Sequence, residues 1–353
     1  MRQKLKVIIF YGGFKFVVGG VNSHASSLKL GMQSIGHEVT LITLDDLPGP
    51  LKYLPHAIEK IFNLILFPLG YLYKGTTTKL LFKLFFGRID SDYLIFEDIY
   101  LSWNSPTPSI SIMHAVWSDN LQAFHVTSKQ ASKLKKKELD KIHHIDHPII
   151  TVSEPYLDFL KNTHFNGALT KKIIPVPNGI DQSAFQKSTV PRLPKTIVYT
   201  GALEARKNII FLLKVFQLLY TRNPSYSLTI IGDGPDRKKV EQFINEFNLP
   251  VTLMGRISHE QVIEKLMTHE LYIHTSTKES FSYALLEAKL AGLKTFAYAG
   301  LQVPAEFIDI KIGNFEINDW FDAIINHHGS PAEINKNQYT FDRMVEDTLE
   351  IGK

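Results

Sequence analysis

At 353 residues, with 44% hydrophobic and 21% charged residues, the chain is long for a single core and suits two folded domains. It contains no cysteine, which excludes disulfides and thiolate metal sites and fits a reducing cytoplasm. The net charge of +4 is mild and no recognised nucleic-acid module is present, so nucleic acid is not an expected partner.

In chain order, Lys6–Tyr11 predicts a strand, followed by a glycine loop, Gly12-Gly13 and Gly19-Gly20, and a helix over about His24–Ile35. The apolar residues Leu5–Phe10 are too few for a signal-peptide core, so no secretory leader is expected. Further strands are predicted at Glu38–Leu44, Tyr93–Glu97, Ser109–His114 and Ile149–Ser153. Alternation of strands with amphipathic runs predicts a doubly wound parallel sheet. A proline-punctuated connection, Lys171–Pro194, follows, and a second α/β series begins with strands at Thr196–Thr200, Ser227–Ile231, Val251–Met254, Leu271–His274 and Lys294–Tyr298. The end, Gln338–Ile351, has helical spacing.

Two basic regions stand out. Between Leu47 and Ile89, six cations face one acid, Glu59, and are interleaved with Phe62, Phe67, Leu80, Phe82, Leu84 and Phe85. Such a segment suits an anionic membrane surface, or consists of core helices with solvated lysines. The run Lys129–Lys141 reads first as a solvated helix face. No stretch reaches the roughly 18–20 apolar residues that span a bilayer. Asp90-Ser91-Asp92 spells a D-x-D metal motif, but it precedes a strand instead of ending one. His143 and His147 are four apart, yet the helix exits before Pro148, so no metal site is expected.

The densest chemistry lies at Glu279-Ser280-Phe281-Ser282-Tyr283, between the strand Leu271–His274 and a helix, Tyr283–Leu290, ended by Gly292. The first amides of a helix lack internal partners and carry partial positive charge, which favours phosphate. Glu279 and Glu287 cannot bind phosphate but can accept hydrogen bonds from sugar hydroxyls. Phosphates flanked by two sugars describe a nucleotide-sugar; a pair of acids decorating a helix start is the plainer alternative. In Gly201–Asn208, Arg206 and Lys207 precede a helix, where cations oppose the dipole unless an anion docks. His114 ends a strand at the carboxyl edge of the first sheet, where open α/β sheets bind ligands, with His24 as a weaker neighbour. Gly232, with Gly234, forms another strand-to-loop glycine cluster at the same end of the second sheet.

The spacing Glu279-x7-Glu287 with Ala288 and Ala291-Gly292, together with the glycine loop, Arg206-Lys207-Asn208 and Pro177-Asn178-Gly179-Ile180-Asp181, resembles retaining glycosyltransferase family 4, glycosyl transferases group 1. Many members carry an arginine directly after the glycine of the phosphate loop, where this chain has Ala202. The resemblance implies a GT-B fold: two Rossmann-like domains facing across a cleft, residues 1–172 for the acceptor and 173–335 for the donor, with residues 336–353 as a terminal helix crossing back. It implies that Gly19, Gly20, Arg206, Lys207, Gly232, Arg256, Ser280, Phe281, Ser282, Tyr283 and Glu287 bind the nucleotide-diphosphate sugar. Glu279 and His114 would hold the sugar being transferred. Catalysis would fall to His114, Glu279, Lys207 and Arg206, with no metal or other cofactor. The expected acceptor is a glycan or lipid-linked saccharide in bacterial polysaccharide or glycoconjugate assembly, on a cytoplasmic protein peripheral to the inner face of the membrane. A catalytically silent GT-B binding subunit, or a GT-B epimerase or phosphorylase, is the alternative.

Overall fold

The computed structural model describes residues 4–15, 19–123, 126–185 and 191–352. Residues 16–18 of the glycine loop and 186–190 of the proline-rich connection therefore lie outside the described residues. The chain divides into two compact units, residues 1–180 with 337–353, and residues 181–336.

Unit 1 holds β1 (Lys6–Phe10), α1 (Gly20–Ser34), β2 (Glu38–Ile42), α2 (Leu54–Leu66), α3 (Gly70–Phe86), β3 (Tyr93–Phe96), β4 (Ser109–Met113), α4 (Ser128–His144), β5 (Ile149–Thr151), α5 (Glu154–Asp158) and β6 (Ile173–Pro175). Its strands pair in parallel in the order β2-β1-β3-β4-β5-β6. β3 and β4 are buried along their whole length, as expected when helices cover both faces. Phe10, Phe96 and Trp103 pack ring against ring at the centre, with Phe82 of α3 on Phe10. The last strand departs from the sequence reading. β6 lies inside the predicted connection, because at a sheet edge Pro175 sacrifices no ladder donor.

Pro177–Asp181 marks the exit from unit 1. A Cβ on Gly179 would lie 2.2 Å from the Thr340 carbonyl, and Ile180 bridges to Thr340 in parallel. Glycine is thus needed for the backbones to touch. Thr340 in turn caps the helix that ends the chain, Phe341–Ile351, by accepting from the Arg343 amide. A Cβ on Gly31 of α1 would come 2.8 Å from Val345, so α1 and this terminal helix approach closely.

Unit 2 holds β7 (Thr196–Thr200), α6 (Ile209–Arg222), β8 (Ser227–Ile231), α7 (Arg237–Glu246), β9 (Val251–Gly255), α8 (His259–Thr268), β10 (Leu271–His274), α9 (Tyr283–Leu290), β11 (Lys294–Tyr298), β12 (Ile310–Ile312) and α10 (Ile317–Ile325). The parallel order is β12-β11-β10-β7-β8-β9. α6 buries Ile209, Phe211, Leu212, Leu213, Val215, Phe216 and Leu219, and Trp320 of α10 joins them in one core. Ser258 starts α8 with a reciprocal capping box to Gln261. The short edge strand β12 is not visible in the sequence, because three residues carry too little pattern to read.

Candidate active site

Counted from β7, the sheet of unit 2 runs 3-2-1-4-5-6, which places its topological switch point between β7 and β10. The loops leaving those two strands are stitched together there. The Thr277 amide donates to the Arg206 carbonyl at 3.0 Å, and the Thr275 hydroxyl donates to the Lys207 carbonyl at 2.9 Å. These bonds bring Arg206 and Lys207 to Glu279.

Glu279 is the hub. One carboxylate oxygen takes the Lys207 ammonium and lies 3.2 Å from His274 Nε2, while the other lies 3.3 Å from Arg206 Nη1. Burial pushes the Glu279 pKa up, but Lys207, His274 and Arg206 outweigh it and hold the carboxyl well below its usual range. Burial lowers the pKa of His274, partly opposed by its bond to Glu279. Arg206 is further held by Glu204 at 2.9 Å and by the Lys278 carbonyl at 2.9 Å. The sequence argument from dipole repulsion is corrected here. Arg206 and Lys207 lie in a separate 3-10 turn, Ala205–Lys207, and Asn208 in the left-handed region (φ 54°) resets the chain before α6. Glu204 and Glu279 already balance both cations.

The rest of the predicted donor set divides. Ser282, at φ 69°, accepts from the Leu285 amide and caps α9, which spans the predicted Tyr283–Leu290. The Phe281 side chain is turned into the protein. It is buried edge-on against Phe307 and Tyr283, and so anchors the loop. Glu287, one turn into α9, contacts His259 Nε2 at 3.0 Å, which raises the imidazole pKa. Gly232 sits at φ 139°, where a Cβ would fall 1.8 Å from the Gly201 carbonyl, so only glycine fits between β7 and β8. Arg256 is exposed, just past β9. Gly19 and Gly20 carry no such demand. They open α1 with extended backbone at Gly19 (φ −178°), and a Cβ on either meets nothing within 4 Å.

Unit 1 has its own switch point, between β1 and β3, since its order runs 2-1-3-4-5-6. Glu97 sits there, its amide donating to the Phe10 carbonyl at 3.0 Å. Its carboxylate lies 2.9 Å from His24 Nδ1 and 2.8 Å from His114 Nε2, and the two rings meet edge to face at 4.8 Å. Burial raises the Glu97 pKa, but the two imidazoles overcome it and hold the group at about 2. Burial lowers the His114 pKa, more than the bond to Glu97 restores. His114 is thus neutral near pH 7 and donates Nε2–H to Glu97, which leaves Nδ1 as an acceptor for a hydroxyl. The three polar atoms lie within 4.8 Å of one another, and among the described residues no other group of three or more histidine and carboxylate side chains does so. A divalent cation could take these ligands, yet imidazole donors on an ionised carboxylate already account for both short contacts.

Sequence reasoning missed Glu97, His274, His259 and Glu204 as site residues. Two of them left a trace: Glu97 and His274 each close a predicted apolar strand at its carboxyl end, as His114 does. The D-x-D acids are structural, since Asp90 pairs with the Lys6 ammonium and Asp92 accepts the Lys6 amide.

Comparison with known proteins bears on this geometry. Residues 181–316 match the family model for glycosyl transferases group 1. The phosphatidylinositol N-acetylglucosaminyltransferase gpi3 subunit of Schizosaccharomyces pombe is 28% identical over 78% of this chain and 62% of its own length. The corresponding human phosphatidylinositol N-acetylglucosaminyltransferase chain is 27% identical, again with 78% of this chain but 58% of its own length covered. The chain thus spans about 60% of the length of these curated relatives. Alpha-monoglucosyldiacylglycerol synthase of Acholeplasma laidlawii is 23% identical over 95% of this chain and 86% of its own. Among solved structures, sucrose-phosphate synthase from Thermosynechococcus elongatus superposes with a TM-score of 0.72 at 18% identity, covering 99% of this chain and 96% of that one. Anabaena HepE in complex with UDP and glucose gives 0.62 at 15% identity, covering 98% of each chain. The fold is therefore the expected two-domain α/β GT-B fold.

Proposed function

We propose that this chain, of which residues 181–316 match the family model for glycosyl transferases group 1, transfers a glycosyl group from a nucleotide-diphosphate sugar to a hydroxyl of a lipid or lipid-linked acceptor, with retention at the anomeric carbon. The observation that carries this reading is the cluster of Glu279, Lys207 and Arg206 at the switch point of unit 2. A diphosphate docking there shares Lys207 and Arg206 with Glu279 and gains their charge as its own develops on departure, the dominant form of help for such a step. Sugar hydroxyls donate to Glu279, and Glu287 holds the ribose. His114 offers Nδ1 to a hydroxyl of the transferred sugar. No enzyme nucleophile is assigned, because a nucleoside diphosphate leaves without the protonation that a glycosidase pair supplies. HepE, a neighbour of the same fold, binds UDP and glucose.

The acceptor reading rests on the relatives' named activities toward phosphatidylinositol and diacylglycerol lipids, and on an exposed apolar face of unit 1. Leu64 and Ile65 of α2 are 87% and 71% exposed, and Leu84 of α3 is 74% exposed. No helix among the described residues is long and apolar enough to cross a membrane, so this face suits peripheral contact. Phe82, by contrast, is fully buried, and Lys74 is tied to Glu59 at 3.0 Å, so neither serves that contact.

Calorimetry with UDP, GDP and ADP tests the donor site. Lys207→Ala should weaken the preferred diphosphate at least tenfold, since a hydrogen bond to a charged group is worth about 1.5–3 kcal/mol. Unchanged affinity would remove the site. Co-sedimentation with anionic vesicles tests the surface: Leu64→Glu with Ile65→Glu should abolish binding, and a protein that never pellets at low salt has no such surface.

A further inference from the structure

The structure brings the two basic runs of the sequence to one place. A cavity of about 660 Å³ lies within unit 1 between α3, α4 and the loop after β3, and it shares no residue with either cluster described above. Lys79 and Lys83 of α3 line one side, and Lys137 and Lys141 of α4 the other, against a single lining acid, Asp140. Among the described residues, none of these four lysines has a carboxylate within ion-pair distance. Lys83 and Lys137 are exposed and Lys79 and Lys141 half-buried, and the volume is that of a small-molecule site. Burial, then the nearby Lys79 charge, lowers the Lys141 pKa to about 8, and Asp98 opposes this only in part. Asp98 is itself pushed up to about 7 by burial, which blunts its charge near neutral pH. The cluster is short of negative charge.

The rest of the lining is mixed: Leu69, Leu72, Trp103 and Ile145 are apolar, while Thr76, Ser102, Asn104 and His144 offer polar atoms. On α3, Leu80 and Leu84 follow Lys79 and Lys83 by one residue each and are 59% and 74% exposed. A row of ammonium groups therefore borders a row of exposed leucines on the same helix. We propose that this cavity binds the phosphate headgroup of an anionic amphiphile, with the four lysines on the phosphate and the acyl part along Leu80 and Leu84. The chemistry is phosphate recognition by converging point charges, with apolar contact alongside.

Titration calorimetry of the full chain with monomeric dihexanoyl phosphatidic acid tests this, with dihexanoyl phosphatidylcholine and inorganic phosphate as parallel arms. Phosphatidic acid should bind at least tenfold more tightly than the choline lipid. Lys137→Ala with Lys141→Ala should weaken it at least tenfold, as should Lys83→Glu, an exposed change that leaves the core intact. Nucleoside diphosphate affinity should stay unchanged in these variants, which separates this site from the donor site. Inorganic phosphate binding as tightly as phosphatidic acid would overturn the amphiphile assignment. Equal binding of both lipids, or affinity for phosphatidic acid that survives both variants, would overturn the site.

Discussion

The two units each place a glutamate of little or no exposure beside the switch point of the sheet and neutralise it differently. Glu97 of unit 1 is held by two imidazoles, His24 and His114. Glu279 of unit 2 is held by an ammonium, a guanidinium and one imidazole. Both carboxyls lie below their ordinary range despite burial. The difference is in what each cluster offers a ligand. Permanent cations can be shared with a phosphate. The neutral His114 imidazole, donating to its carboxylate, presents a hydrogen-bond acceptor, which suits hydroxyls. Architecture supplies the place in both units, and the side chains opposite the carboxylate decide the chemistry.

The sharpest way to break this comparison is to delete the hubs. Glu279→Ala leaves Lys207 and Arg206 without their carboxylate partner, and with Arg206 37% exposed the loss falls at the low end for buried pairs, about 3 kcal/mol. Urea unfolding should show that loss. Glu279→Ala with Lys207→Met should recover part of it, because the uncompensated charge goes too; no recovery would mean that the pairing carries little energy.

Acid titration comes next in size. Glu97 is held at about 2 from an ordinary 4.5, so it carries roughly 3 kcal/mol of pH-linked stability. The sign follows from the depressed value: the stabilisation is whole above about 4.5 and is lost as pH falls toward about 2. Glu97→Gln should flatten the stability curve in that window. A curve unchanged by Glu97→Gln would show that the imidazoles do not hold an ionised carboxylate.

The smallest effect is at His259. Its pKa is raised chiefly by the bond to Glu287, so any stabilisation is present below about 6.5 and fades as pH rises through the higher folded value. The ring is more than half exposed, so the pair is worth well under about 1 kcal/mol. His259→Ala should lower the melting temperature slightly at pH 6 and hardly at all at pH 9. It should also weaken nucleoside diphosphate binding less than Lys207→Ala does.

The sequence by itself determined the elements with strong local signals. Hydrophobic runs of four or five residues located β7, β8, β10 and β11 to the residue, and Gly292 at φ 78° ended α9 where predicted. Glu279, Arg206 and Lys207 were legible because residue type and neighbours carry the motif. Tertiary structure alone decided the rest, because parallel pairing joins residues far apart in the chain. It put Glu97 between His24 and His114, separated by 73 and 17 residues. It turned two cations that opposed a helix dipole into the partners of Glu204 and Glu279, and it buried Phe82 while leaving Leu84 in solvent. It also converged Lys79 and Lys83 with Lys137 and Lys141 on one cavity. Spacing along the chain encodes which face a residue takes; which charge it meets across a sheet is fixed only when the layers pack.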